Sequence, residues 1–417
     1  MSILNNSYEP MVQHSGLIER LPTEILHQIF DYIDAETILL SIRRVCRQWM
    51  AWTNTYNRYG LNLNSISKQN FTLICRLIQP ENVISLTFAD NNQQADQIDL
   101  FLSLVDTQRF TRLRSLIFLG IDDIKFHAFT NSTKLASLQT FAIKILKYDR
   151  RRSKTSTKIL TRICSQVNIR KLDLNVPNVY WKNLNWPTHC SIKELKVHQS
   201  IFFNYLCQIL QYSSQLETLI LSISLYYLLS GVVLNSTLTP LFRQLTSLTF
   251  EFCDIDMNRV ESFVKLMPSL VHFKISNRNC DSNFLDGSRW ERFIEKNLLY
   301  LNKFEFFFIH RFNNQVSSNE MERVITPYRS PFWTDTKKWF VFIEHVVHDP
   351  TVIRLFTTPI DQPNYEHEKD PQKTYLSNIV EKERSYMLIM DTVSTFILAL
   401  NEELANYFKQ DVRIILT

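Results

Sequence analysis

Two histidines in the segment Glu344-His345-Val346-Val347-His348 are the first candidates for chemistry, because imidazole nitrogens bind zinc. Zinc hydrolases with two histidines on one helix carry them in the order His-Glu-x-x-His, which this segment lacks. The chain also has no Cys-x-x-Cys pair and no Gly-x-Ser-x-Gly motif for nucleophilic catalysis. We therefore predict no catalytic residue, no bound metal and no cofactor. A site built from carboxylates that meet only in the folded chain stays open as an alternative.

Composition narrows the classes of function further. The 417 residues include only five glycines, too few to favour the glycine-rich loops that hold nucleotide phosphates. A formal net charge of +5 is modest for this length, so we expect no nucleic acid as partner. Seven cysteines without paired spacing favour a reducing compartment, and residues 1–16 lack the pattern of a secretion signal. The expected location is the cytoplasm, the nucleus or both.

One segment is long enough and apolar enough to raise the question of a membrane. Residues 218–242 contain no charged side chain, and a segment of that length could span a bilayer. Serine, asparagine, threonine and proline interrupt its apolar character, and no cluster of lysine or arginine flanks it. We predict no membrane span.

The densest positive charge lies between Lys147 and Lys158, where Arg150, Arg151 and Arg152 adjoin serines and threonines. Such a run could bind phosphate or direct nuclear import. The interpretation that we favour is a solvated loop between two structural repeats.

A repeat occupies the middle of the chain. Nine segments carry the pattern apolar-x-x-apolar-x-apolar, which is typical of strands, and they begin at Val83, Leu113, Leu138, Ile169, Ile192, Leu216, Leu245, Leu270 and Leu301. Residues between them have helical spacing, for example Val260, Phe263, Val264 and Met267. A single motif of this kind arises by coincidence in many leucine-rich chains, whereas nine nearly periodic copies indicate a repeated unit.

This pattern resembles leucine-rich repeats that pair each strand with a helix. The resemblance implies an α/β fold over residues 61–310, an irregular solenoid with parallel strands on its concave face and helices on its convex face. Irregularity is expected because Asn or Cys, usual in the family after the strand, occurs there only at Asn91 and Cys253. Residues 311–417 are interpreted as an extension and cap, with a helix around 386–408 and a strand at 412–416.

Polar side chains beside the central apolar residue of each strand would face outward from such a wall. The candidate target-binding residues are Lys171, Asp173, Glu194, Lys196, His198, His272, Lys274, Lys303 and Glu305. Any one of them could instead be a solubilising surface residue, but the face as a whole suits a partner protein.

The N-terminal region carries two apolar stripes. Pro22 begins a helix in which Leu26, Ile29, Phe30 and Ile33 share one face. After a break around residues 34–37, a second stripe of Ile42, Val45, Cys46 and Trp49 repeats the spacing. Some forty-five residues cannot bury two such stripes alone, so a partner is expected. An ordinary helical hairpin that packs on its own chain is the alternative.

The motif Leu-Pro-x-Glu-Ile-Leu-x-x-Ile-Phe, followed by Val-Cys-Arg-x-Trp, resembles the F-box, the helical module that binds the Skp adaptor of cullin-based ubiquitin ligases. It covers residues 17–60, after a disordered tail at 1–16. The positions that match the apolar family pattern, and that are implied to bind the adaptor, are Leu21, Pro22, Ile25, Leu26, Ile29, Phe30, Ile33, Val45, Cys46 and Trp49. Glu36-Thr37 stands where families of this type often have Asp-Leu, a departure expected to weaken the adaptor contact without removing the helix.

Together the two resemblances imply an F-box protein with leucine-rich repeats, a non-catalytic substrate receptor of an SCF-type ubiquitin ligase. It would act as a monomer within the complex, joined by the Skp adaptor to cullin and RING subunits, and would hold an unidentified target protein. A scaffold that binds the adaptor without promoting degradation is the first alternative. An enzyme with a site in the C-terminal region is the second.

Overall fold

The computed structural model describes residues 21–64, 66–89, 97–147, 153–199, 201–222, 241–251, 255–345, 349–357 and 374–378. Contacts divide the chain into two compact units, Met1–Asn185 and Trp186–Thr417. Several sequence predictions lie outside the described residues. They concern the tail at 1–16, Asn91, Cys253, His348, the helix around 386–408 and the strand at 412–416.

Unit 1 begins with a group of short helices: α1 (Thr23–Phe30), α2 (Ala35–Leu40), a 3-10 turn (Ile42–Arg44) and α3 (Arg47–Thr55). The predicted break at 34–37 is wrong, because Asp34 caps α2 by accepting hydrogen bonds from the backbone N–H and the hydroxyl of Thr37, at 2.7 and 2.8 Å. The predicted stripe at 42–49 is not one helix either. Cys46 is extended, with φ of −160°, and the next helix starts after it.

The rest of unit 1 alternates strands and helices. Its strands are β1 (Tyr59–Asn62), β2 (Val83–Phe88), β3 (Ser115–Asp122), β4 (Thr140–Lys147) and β5 (Lys171–Asn175). Its helices are α4 (Lys68–Leu77), α5 (Gln97–Leu104), α6 (Asp123–Ser132), α7 (Ser153–Cys164) and α8 (Asn178–Asn183), with 3-10 turns at Pro80–Asn82 and Thr107–Arg109. Residues 153–158, predicted as loop, begin helix α7.

Strands β1 to β5 lie in chain order and every neighbouring pair is parallel. From β2 onward, pairing sets the same position of each repeat side by side. The residues at that position are Leu86, Leu116, Phe141 and Leu172, all at most 1% exposed. The sequence pattern therefore coincides with the register of the strands.

Unit 2 contains β6 (Glu194–Val197), β7 (Thr218–Leu221), β8 (Ser247–Phe250), β9 (His272–Asn277), β10 (Lys303–Arg311), β11 (Val341–His345), β12 (Val352–Thr357) and β13 (Thr374–Ser377). Its helices are α9 (Phe203–Tyr212), α10 (Met257–Val264), α11 (Gly287–Asn297) and α12 (Ser318–Ile325). Shorter turns span Ser282–Leu285, Thr326–Arg329 and the π-helical Phe332–Thr336.

Strands β6 to β10 are also parallel and in chain order, with Leu195, Leu219, Leu248, Phe273 and Phe304 side by side. The C-terminal strands differ, because β10 pairs antiparallel with β12, β12 with β11, and β11 with β13. A strand is thus present at each of the nine positions that the motif predicted. Strand β1 was missed, although the alternation of buried Tyr59, Leu61 and Leu63 is a strand pattern.

Aromatic side chains link several strands to the helix that follows them. Phe88 of β2 meets Phe101 of α5 with ring centres 5.0 Å apart, and Phe250 of β8 meets Phe263 of α10 at 5.8 Å. The apolar set of each strand therefore packs on helices, and the alternate set faces away from them. This arrangement is a mixed α/β fold in both units.

We predict that Leu248→Ala lowers the free energy of unfolding by about 2–5 kcal/mol, because Leu248 is fully buried and its truncation leaves a cavity. Urea unfolding followed by tryptophan fluorescence measures the change. Leu299→Ala is the matched control, since Leu299 is 73% exposed and should cost under about 0.5 kcal/mol. Equal losses in both variants would contradict the assignment of Leu248 to the core.

Candidate docking surfaces

The ten predicted adaptor-binding residues do not share one environment. Leu26 and Phe30 are each 1% exposed, and Leu21, Ile33 and Trp49 are half-buried. The remaining five residues are exposed and comprise Pro22, Ile25, Ile29, Val45 and Cys46. Helix α1 therefore presents one apolar face to its own chain and another to solvent.

Phe30 is the centre of the inward face. Its ring lies 5.5 Å from that of Tyr56, edge to face, and 6.3 Å from that of Trp49. His27, one turn earlier on α1, packs edge to face on Tyr56 at 5.4 Å, and its Nε2 lies 3.3 Å from the carbonyl oxygen of Trp52. Aromatic contacts of this kind hold α1 against α3.

Polar contacts fix the end of α3 to the end of α1. The hydroxyl of Tyr56 and Nε of Arg58 both donate to Oδ1 of Asp31, each at 2.9 Å. Burial, with the neighbouring Asp31 carboxylate, raises the pKa of Tyr56, so its hydroxyl remains a donor at neutral pH. Tyr59 donates to the carbonyl oxygen of Thr53 at 2.7 Å. These bonds set the angle at which the exposed face is displayed.

The same module is bonded to the first strand–helix unit that follows it. Nδ2 of Asn70, on α4, donates to Oε1 of Glu36, on α2, at 2.7 Å. Ala35, Ile38 and Leu39 of α2 are buried beside it. Glu36, at the position where the motif departs from the usual Asp-Leu, therefore has a structural contact within unit 1.

The outward face holds two residues that the sequence patterns missed. Tyr32 is 94% exposed and Met50 is 43% exposed, in addition to Ile25 at 40%, Ile29 at 42% and Val45 at 67%. Ile25, Ile29 and Tyr32 are spaced by four and three residues, so they form a second stripe interleaved with the buried one. That spacing was visible in the sequence. Met50 gave no such signal, because its direction depends on where α3 begins.

Three of the predicted target-binding residues come together in unit 2. Nε2 of His272 lies 2.6 Å from Oε2 of Glu305, and Nζ of Lys303 lies 3.0 Å from its Oε1. Glu305 is only 8% exposed, so its carboxylate serves these two neighbours and is not presented to a partner. Burial raises the pKa of the Glu305 carboxyl, but the contacts with His272 and Lys303 outweigh it and hold that pKa below its ordinary value.

Lys196 is also engaged within unit 2. Its Nζ lies 3.1 Å from the carboxylate of Glu251, which also accepts a hydrogen bond from Ser222. Among the other candidates, Lys171 is exposed, whereas Asp173, Glu194, His198 and Lys274 are half-buried. Four of the nine predicted residues, all in unit 2, therefore have charges that are already balanced by neighbours.

Of the two histidines in the segment 344–348, only His345 lies in the described part of the chain. His345 closes β11, and its Nε2 lies 3.2 Å from the carbonyl oxygen of Pro350. Within the described ranges, no group of three or more His, Cys, Asp or Glu side chains could hold a metal ion. Among the helices described above, none is long and apolar enough to cross a membrane.

Comparison with known families identifies one region. Residues 18–56 match the family model described as F-box-like, which spans the four helical segments from α1 to α3. No protein with a curated description matches the chain. The chain therefore contains an F-box-like domain, whose family members bind Skp-type adaptors, followed by repeated parallel strands and helices.

We predict that Glu305→Gln lowers the free energy of unfolding at pH 7 by about 1–3 kcal/mol, because it removes a charged acceptor of two contacts. The carboxyl has a lower pKa in the folded chain than in the unfolded one. Its contribution is therefore complete above the unfolded-state pKa of about 4.3 and is lost as the pH falls through the folded-state pKa. Urea unfolding at pH 7 and at acid pH should show the difference between wild type and variant shrinking.

Glu217→Gln is the matched control for that measurement. Glu217 also pairs with a lysine, Lys193, at 2.6 Å, but about half of each side chain is exposed. We expect a change under about 1 kcal/mol. A loss as large as that of Glu305→Gln would show that burial of the carboxylate is not what distinguishes the two sites.

Proposed function

We propose that this protein is the substrate-recognition subunit of an SCF-type cullin-RING ubiquitin ligase. Its F-box-like domain would dock on a Skp adaptor, and through the adaptor on cullin and RING subunits, with one copy of the chain in each complex. The observation that carries the proposal is the F-box-like match at 18–56 on a module with an exposed stripe of Ile25, Ile29 and Tyr32, which are 40%, 42% and 94% exposed.

The exposed residues supply the driving force for docking. Removing apolar surface from water contributes about 25 cal/mol of favourable free energy per Å². A few central residues usually supply most of the binding free energy of an interface. Ile25, Ile29, Val45 and Met50 are large enough to act as such anchors. Leu26 and Phe30, which were also predicted to bind the adaptor, are each 1% exposed, and their proposed contribution is to position the stripe.

The remainder of the chain would hold the target. We infer that residues 61–310 form leucine-rich repeats, supported by the parallel strands whose repeat positions pair in register. In such repeats the outward side chains of successive strands form one wide surface, which suits a protein partner better than a small molecule. Residues 311–417 would extend and cap this array.

The proposed mechanism is proximity. Holding the target on the same assembly as the ubiquitin-conjugating enzyme converts an encounter in solution into one within a complex, which raises the effective concentration of target lysines. The chain itself would form and break no covalent bond, since ubiquitin transfer belongs to the RING subunit and the enzyme it recruits. The site of action would be the cytoplasm, the nucleus or both.

We predict that the double variant Ile25→Ala/Ile29→Ala weakens adaptor binding by about 2 kcal/mol, roughly 30-fold in Kd, because two central apolar anchors are shortened. Calorimetric titration with a purified Skp adaptor measures the change. Both side chains are about 40% exposed, so the thermal unfolding of the variant should stay close to that of the wild type.

The control is Leu299→Ala/Tyr300→Ala, which truncates two exposed apolar residues outside the F-box-like domain and should leave the Kd unchanged. Undiminished binding by Ile25→Ala/Ile29→Ala would contradict the docking surface. Recovery of the adaptor without any cullin from cells would contradict assembly into a ligase and favour a scaffold.

A further inference from the structure

Unit 1 carries an exposed apolar patch whose position the F-box-like domain does not explain. It consists of Leu119 in the second half of β3, Leu146 near the end of β4 and Ile124 in the first turn of α6, which are 46%, 52% and 54% exposed. We call these three residues the Leu119 patch. Isolated exposed leucines are common, but here two lie on adjacent strands and an exposed isoleucine lies in the helix that directly follows the first strand.

Local geometry builds the patch. Phe118 pairs with Ile143 and Ile121 pairs with Ile145, so three residues on β3 oppose two on β4 in a β-bulge. Bulges redirect side chains and are often found beside functional sites. Gly120, inside the bulge, leaves room for Leu146, because a Cβ there would lie 2.7 Å from Leu146 Cδ1. The side chain of Leu146 therefore lies against the backbone of the bulge at Gly120 and remains half exposed to solvent.

Two lysines lie on the strand that carries Leu146. Lys144 and Lys147, on the same strand as Leu146, are exposed, and within the described residues neither forms a salt bridge. The surrounding sequence is also basic, because residues 97–185 contain 16 Lys and Arg against 6 Asp and Glu. That segment carries a net charge of +10 in a chain of +5, so all other residues together carry −5. The basic character of the protein is concentrated here.

We infer that the Leu119 patch with Lys144 and Lys147 binds a segment of the target protein in which aspartate or glutamate side chains accompany large apolar ones. Leucines and isoleucine would bury the apolar side chains, and the lysines would pair with the carboxylates. This inference rests on the proposed function, since it names the class of target held by the repeats.

The residues present favour this ligand over others with negative charge. Lys144 and Lys147 would pair with carboxylates and phosphates alike, so the apolar side chains of the patch favour a polypeptide that carries its negative charge beside large apolar residues. Unstacked nucleic acid bases require aromatic platforms, and none of the exposed aromatic side chains in the described structure falls within residues 97–185. A polypeptide with acidic and apolar residues matches both components of the surface.

Selection from a displayed library of random twelve-residue peptides tests the inference directly. The full-length chain is immobilised through a terminal tag, and the enriched peptides are sequenced. We expect enrichment of Asp and Glu together with Leu, Ile or Phe, and binding of the best peptide, measured by fluorescence anisotropy, that weakens as salt is raised. Lys144→Glu/Lys147→Glu should weaken that binding at least tenfold, and Leu146→Ser should weaken it while preserving its dependence on salt.

The matched control is Lys134→Glu/Lys182→Glu, which changes the net charge equally at two exposed lysines outside the strand ends. Equal loss in both double variants would overturn the inference, because net charge alone would then explain binding. Enrichment of neutral or basic peptides would overturn it too. So would tighter binding to a phosphoserine peptide, to single-stranded DNA or to phosphatidylserine vesicles than to the best acidic peptide.

A parallel titration with the Skp adaptor separates this inference from the proposed function. Adaptor binding that is normal in every lysine variant, without acidic peptides being selected, would overturn only the assignment of the Leu119 patch. Failure of the wild type to bind the adaptor would instead overturn the ligase function, while selection of acidic peptides would still support the patch as a binding site.

Discussion

Hydrogen bonding between neighbouring parallel strands fixes, at each position of the repeat, which side chain meets the helices and which faces away. Leu219 and Leu248 pair directly and are both fully buried, so a slip of one residue would place polar neighbours such as Thr249 against the helices. Burial of polar groups without partners would make that slip costly. The outward side chains of both units, among them the paired charges of unit 2 and the exposed leucines of unit 1, therefore follow from the register.

The F-box-like domain is a small module that has more apolar surface than it can bury within itself. Phe30 and Tyr56 close an aromatic core, Asp31 ties the helix ends together, and Glu36 joins the module to α4. With the inner face fixed in this way, the outer stripe is held in place before any partner arrives. Such preorganisation lowers the conformational entropy lost on docking.

The repeat strands and the F-box-like helices were predictable from the sequence because both depend on apolar residues that recur at regular spacing. The nine repeat strands and the two-residue alternation within them follow from leucine spacing alone, and the F-box motif is dense enough to be recognised in about forty residues. The break between the first two helices lies at 31–34 and was predicted a few residues late, at 34–37, because a capping side chain such as Asp34 gives no apolar signal. The burial of Glu305 was hidden as well, since its partners His272 and Lys303 meet it only through strand pairing.

The antiparallel strands at the end of unit 2 have a consequence for how the protein behaves at high concentration. A long parallel strand with a bare edge offers its amides and carbonyls to any similar strand, which is a common route to aggregation. Arg311 to Phe307 of β10 are instead matched with Val352 to Phe356 of β12, a strand running in the opposite direction. A second copy of the repeats therefore finds no continuation of its own parallel pattern there, and the array has a defined end.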